Sequence, residues 1–313
     1  MLLRRTATDE LLQSKIDPAL RDRIETAGQI LGFASQIGLP VSGAYRSYVE
    51  TGEPYVVWNV FAAKPYELAL KKSCFPVAGC VTYRGYFERE DADKYAKRLE
   101  NKGYEVFVGG VAAYSTLGWF KDPLLDTFLF RSDEQLAALL FHELAHRVIY
   151  IKDDTRFNES LATTIELHAL ERWLRARGES HRFDRYRLSL ARRDSVIDLI
   201  MLARNQLDAL YGSGIPVAEM EVKKQSIFLG MREAYTLLRE TWTGGDEFYR
   251  WMQGPMSNAK LETVADYNEW VPPLTAMLDK LGYEQFKLEL LRLASMSQAA
   301  RDAELGAFTS AGN

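Results

Sequence analysis

The sequence predicts an α+β protein that is mostly helical, with a small N-terminal sheet followed by a helical half. Three observations carry this. β-branched and aromatic runs bounded by Gly and Pro fall between residues 55 and 120. From Ser132 onward, apolar residues recur at helical spacing for most of the remaining length. A chain of 313 residues, 47% of them hydrophobic, can bury a substantial core, which excludes a disordered tail or a disulfide-stapled miniprotein.

The elements follow in order. From about residue 9 to Gln36 the apolar spacing is helical, and Gly38, Pro40 and Gly43 stop it. Strand-like runs come next: YVVWNVFAA at 55–63, CVTYRGYF at 80–87 and YEVFVGGVAAYSTLGWF at 104–120. The helical stretch EDADKYAKRLENKG lies between the last two, so a small sheet carrying one helix is expected. Ser132 with Gln135 forms a capping box that opens the helical run DEQLAALLFHELAHRVIY. A second helix covers FNESLATTIELHALERWLRARG and ends at Gly178. Further helices are expected near 184–211, 218–242 and 284–304, broken by Gly244-Gly245, Gly254-Pro255 and Pro272-Pro273. The expected division is 1–131 for the opening helix and mixed sheet and 132–313 for the helical half. With no linker, repeat or composition shift between them, they are read as one compact unit.

Lys+Arg 39 against Asp+Glu 43 gives a net charge of −4, so no global basic field points to nucleic acid as a partner. The longest apolar runs, such as Leu136–Phe141, are far too short to span a bilayer, and no transmembrane segment is expected in this chain. The opening MLLRRTATDELLQSK has no apolar segment or cleavage site of a signal peptide. The expectation is a cytoplasmic protein, or an exported one whose export segment has been removed. Cys74 and Cys80, with five residues between them, would pair in an oxidising compartment and otherwise read as buried thiols.

The chemistry centres on His142-Glu143-Leu144-Ala145-His146, an HExxH pattern on a segment already read as helical. On a helix, residues four apart differ by about 40° in azimuth, so two imidazoles leave one face and can share a metal ion. Imidazole suits Zn²⁺, and a catalytic zinc site needs a third protein ligand and one open position. Glu143 sits beside the pair as the general base for a zinc-activated water, with amide hydrolysis as the natural reaction. Glu159, with twelve residues between it and His146, is the preferred third ligand. Glu166 shares its helix face two turns on, and is read as orienting a ligand histidine from behind or as the alternative ligand. His168 and His181 read as bystanders. A Tyr, His or Arg from another segment is expected to stabilise the tetrahedral intermediate, but 16 tyrosines leave its identity open.

The motifs FASQIGLP, PYVVWNVFAA, CFPVAGCVTYRGYF, GGVAAYSTLGWFKDPLLDTF, LLFHELAHRVIYIKDDTRFNESLATTIE and SNAKLETVADYNEWVPPL span nearly the whole chain. Together they resemble a family of bacterial proteins described as predicted aminopeptidases. The resemblance implies a zinc-dependent aminopeptidase with a zincin-like core, one zinc per chain and a peptide substrate. It also implies a Gram-negative protein on the periplasmic side of the envelope, with a lipid anchor in the full-length form and an export region upstream of this chain. The stretch NESLATTIE is similar to the NExxAxxxE pattern of gluzincin aminopeptidases, which implies zinc ligation by Glu159 and outer positions for Asn158 and Glu166. The gap after the second histidine is shorter than theirs, so a tighter ligand loop is expected.

By the same resemblance GGVAAYSTLGWF is the counterpart of a substrate-binding strand, with Gly110, Ala112 and Tyr114 as contacts. Residues 109–120 contain no acid to hold a substrate's ammonium, so Asp122 or an acid of the helical half would have to serve. An endopeptidase or a narrow dipeptidase therefore stays open beside the aminopeptidase. A noncatalytic envelope scaffold is the reading from another class. Arg84 is a candidate to pair a substrate carboxylate and Tyr267 to be the intermediate's donor, against plain packing roles for both.

Overall fold

The computed structural model describes residues 5–75, 79–112, 122–243, 246, 248–264 and 269–310. Its elements begin with β1 (Arg5–Ala7), α1 (Thr8–Gln13), α2 (Pro18–Gln36), β2 (Ser47–Val49) and β3 (Val57–Ala63). Then come β4 (Ser73–Phe75), β5 (Gly79–Val81), β6 (Arg84–Tyr86), α3 (Arg89–Glu100) and β7 (Glu105–Val111). The middle of the chain forms β8 (Leu124–Leu125), α4 (Asp126–Leu129), α5 (Asp133–Ala145), α6 (Thr155–Ala176) and α7 (Ser180–Tyr211). It closes with α8 (Val217–Glu240), α9 (Tyr249–Gln253), α10 (Asn258–Leu261), α11 (Val271–Ala294) and α12 (Gln298–Ser310). Helix makes up 62% and the sheets have at most three strands, which is the mostly helical α+β class the sequence predicts.

Two compact units form, each discontinuous in sequence. Met1–Glu53, Ala113–Tyr186 and Asp266–Asn313 make the first, and Pro54–Ala112 with Arg187–Ala265 the second. The sequence boundary at 131/132 falls inside the first unit.

In the first unit β2 pairs antiparallel with β1 and parallel with β8. Its central helix is α6, which buries Phe157, Leu161, Ile165, Leu170 and Trp173 and packs against α2, α5 and α11. A helix apolar on so many sides belongs inside a bundle rather than at a surface. Asp154 caps its start by accepting from Phe157 N at 3.1 Å, and Gly178 at φ 71 follows its end. Ser132 Oγ accepts from Gln135 N at 3.4 Å, as the capping box requires. Two boundaries differ from the sequence reading. α5 ends at Ala145 instead of running on to Tyr150, because Arg147 N and Val148 N bond back only three residues, to Leu144 O and Ala145 O, and tighten the last turn. Pro272-Pro273 do not break a helix but lie in the first turn of α11, where no backbone N–H is needed; Gly282, at φ 70, interrupts that helix instead.

The second unit holds an antiparallel sheet in the order β6-β3-β7. Trp58, Val60 and Ala62 alternate along β3 and are buried against Ala92, Ala96 and Leu99 of α3, the expected sheet with its single helix. The run at 80–87 is two strands, since β5 pairs with β4 while β6 pairs with β3. Cys74 and Cys80 are Cα partners across β4 and β5, and Cys74 is disulfide-bonded. A second apolar cluster joins Val196, Ile200 and Leu207 of α7 to Met220, Phe228 and Met231 of α8. No helix among the described residues is long and apolar enough to cross a membrane.

Candidate metal centre

The HExxH residues occupy the last turn of α5. His142 is in that turn and His146 is the C-cap, its N–H donating to His142 O at 3.3 Å. The chain then turns through residues 147–154 into α6, so that α5 and α6 form a helical hairpin. Asn158 closes this loop: its Oδ1 accepts from Ile151 N at 2.9 Å and its Nδ2 donates to Ile151 O at 2.7 Å. Asn158 therefore acts on the backbone of the ligand loop. Glu159, one turn into α6, is thereby brought back to the histidine pair.

His142, His146 and Glu159 each offer an atom within 4.8 Å of the others. His142 Nε2 lies 3.3 Å from Glu159 Oε2, and His146 Nε2 lies 3.7 Å from Glu159 Oε1. Tetrahedral zinc with bonds near 2.0–2.1 Å needs ligand atoms about 3.3 Å apart, so this donor set fits the ion. The two rings stand edge to face, with centroids 4.9 Å apart at 83°.

Behind His142, its Nδ1 lies 3.0 Å from Glu166 Oε2. An ionised carboxylate only accepts, so Nδ1 holds a proton towards Glu166, and Nε2, which faces Glu159, is the nitrogen that a cation would take in place of that nitrogen's own proton. Glu166 Oε1 accepts from the Tyr186 hydroxyl at 2.7 Å. With one oxygen on Nδ1 and the other on Tyr186, Glu166 lies behind His142, and the group whose ligand atoms converge is His142, His146 and Glu159.

The electrostatics favour positive charge at the same point. Burial works against the protonated His142 ring, but hydrogen bonds to Glu159 and Glu166 overcome it and raise the pKa to about 10. Burial, then the charge of His142, lower His146 to about 4. Burial alone would raise Glu159, yet the His142 hydrogen bond and both imidazoles bring it below the usual carboxylate value.

Several contributors carry no periodic signal in the sequence. Tyr45 is 5% exposed, takes a left-handed φ of 58°, and donates its N–H to Asp122 O at 2.7 Å. Burial, then Glu143 and Asp122, against Arg147, hold its phenol well above the ordinary tyrosine pKa. It therefore stays a hydrogen-bond donor. Arg147, next to His146, reaches the same segment through Val41 O at 3.3 Å and Ser42 O at 3.1 Å. A tyrosine after Gly43-Ala44 gives no hint of this in sequence, and the arginine beside HExxH is marked only by its position.

The other sequence candidates fall elsewhere. Gly110 and Ala112 belong to the second unit, where Gly110 on β7 faces Trp58 and packs so close to the Tyr55 ring that a Cβ has no room. Arg84, also there, lies over Tyr86 and Tyr95 at 5.6 and 5.0 Å from the ring centroids. Tyr114 and Tyr267 lie outside the described residues. Asp122, the suggested ammonium anchor, is 5% exposed in the first unit. His168 stacks on Tyr283 at 6.3 Å and His181 is exposed.

Comparison with known proteins adds one result. The family model described as "Putative aminopeptidase" matches residues 1–305. No curated protein and no solved structure matches the chain.

Proposed function

The chain belongs to the family described as "Putative aminopeptidase", and from that membership we propose that it is a zinc-dependent peptidase acting on free N-termini. The observation that carries the zinc reading is the convergence of His142, His146 and Glu159 within 4.8 Å. In this reading one zinc per chain is held by those three residues. When bound, zinc supplies Lewis-acid polarisation of the scissile carbonyl and acidifies water for attack.

The chain's own residues do the rest. Glu166 orients His142 through Nδ1. Glu143, between the two histidines in sequence, takes the proton of the attacking water on its carboxylate and returns it to the leaving amine. The phenol of Tyr45, which burial and the charge of Glu143 keep protonated, is a candidate donor to a developing oxyanion. The disulfide at Cys74 supports an oxidising compartment, in keeping with a periplasmic, lipid-anchored protein of the bacterial envelope.

The test is metal content together with hydrolysis of peptide libraries bearing free or blocked N-termini, for wild type and Glu143→Ala. Stoichiometric zinc, trimming of free N-termini alone, and a zinc-loaded but inactive variant are expected. Cleavage of blocked peptides would replace the aminopeptidase by an endopeptidase, and absence of zinc binding would end the metal reading.

A further inference from the structure

A carboxylate turns easily about its last torsion, so a hydrogen bond to one oxygen leaves the plane of the group loose. Glu166 has both oxygens engaged: Oε2 faces His142 Nδ1 at 3.0 Å, and Oε1 accepts from Tyr186 OH at 2.7 Å. Glu166 is 9% exposed, so bulk water hardly competes for either position. Tyr186 is itself well anchored. It lies in the second turn of α7, where Arg182, one turn earlier, pairs with Glu134 of α5 and with Glu179. The phenol is thus carried by a helix braced to the one that bears His142 and His146.

We infer that Tyr186 is a positioning residue of the metal centre: through Glu166 it fixes the tilt and the tautomer of His142, and so the direction in which Nε2 is offered to the ion. This rests on the zinc reading above. The hydroxyl donates to Glu166, and its effect on His142 passes through that carboxylate. Partners one step behind a metal ligand commonly change metal affinity by about 10- to 100-fold, and a second step outward belongs at the lower end of that range.

The experiment is zinc affinity by competition with a chromophoric chelator, on full-length wild type, Tyr186→Phe, Glu166→Ala and the double variant. Phenylalanine keeps the ring and removes only the hydroxyl, and a cooperative unfolding transition verifies the fold of each variant. Tyr186→Phe is expected to raise the zinc dissociation constant about tenfold and to shift the visible absorption of the Co²⁺-loaded protein, which senses imidazole orientation. In the Glu166→Ala background the same substitution is expected to change the affinity less than about twofold, because the carboxylate through which it acts is gone. Wild-type affinity and an unchanged Co²⁺ spectrum in Tyr186→Phe would overturn the inference while leaving the zinc reading intact. An equal loss with and without Glu166 would overturn it too, since the hydroxyl would then act by another route. A wild type that binds no zinc removes both.

Discussion

Asp154 divides its carboxylate between two tasks: Oδ1 caps α6 through Phe157 N at 3.1 Å, and Oδ2 pairs with Arg301 of α12. Both side chains are buried, at 3% and 1% exposure, and Arg301 also donates to Leu293 O and Met296 O at 3.1 Å. The last helix of the chain thus grips the start of the helix that carries Glu159. Removing the arginine alone leaves a buried carboxylate without its charge partner. Arg301→Met is expected to cost about 3–5 kcal/mol by urea unfolding and to weaken zinc binding, because the cap sets the first turn of α6. A loss below about 1 kcal/mol would show that the pair does not hold this end of the helix.

Asn158 makes a second prediction. Its amide both accepts from Ile151 N and donates to Ile151 O, so alanine leaves a donor and an acceptor of the ligand loop unpaired. The expected loss in Asn158→Ala is about 1–3 kcal/mol. Asp at this position can still accept but cannot donate while ionised, so Asn158→Asp should also fall short of wild type near neutral pH. Chemical denaturation of both variants checks the order.

Glu143 and Glu166 are separable by what each variant loses. Glu143 is assigned the proton and Glu166 the orientation of His142. Glu143→Gln is therefore expected to keep its zinc and lose about 10²- to 10⁴-fold in kcat. Glu166→Ala is expected to lose about 10- to 100-fold in zinc affinity, with much of its turnover restored at saturating zinc. Zinc titrations paired with kcat measurements distinguish the two, and a Glu143→Gln protein that sheds its metal would contradict the assignment.

What could be read from the sequence was whatever repeats locally. His142 and His146 share a face because they are four apart, and Glu159 and Glu166 share one because seven residues make about two turns. The strands at 57–63 and 105–111 and the cap at Ser132 follow from the same local rules. Tertiary partners leave no such trace. Tyr186 meets Glu166 from 20 residues away on another helix, and Arg301 meets Asp154 from 147 residues away. The early end of α5 depends on where the chain must turn for Glu159 to return, which helical periodicity does not record. Pro272-Pro273 misled for another reason: proline breaks a helix interior but suits its first turn, and the residues alone do not say which applies.

Lys260 of the second unit yields a pH prediction with a definite sign. It is 3% exposed, donates to Trp251 O and Pro255 O, and lies over the Trp251 ring at 4.7 Å from its centroid. No carboxylate pairs with it among the described residues. Burial, then the charge of Arg232 on α8, lower its pKa from 10.5 to about 8. Below about pH 8 the lysine is protonated in both states, and the folded protein carries the whole cost of the buried charge. Between about 8 and 10.5 the unfolded chain binds more protons than the folded one, so stability rises with pH, by at most roughly 1.4 kcal/mol per unit. Lys260→Met has no such proton to lose. Urea unfolding of both proteins at about pH 7.5 and about pH 9.5 is expected to show the wild type gaining on the variant across that interval. A constant difference would mean that Lys260 keeps its ordinary pKa in the fold, with Trp251 and the two carbonyls offsetting its burial in full.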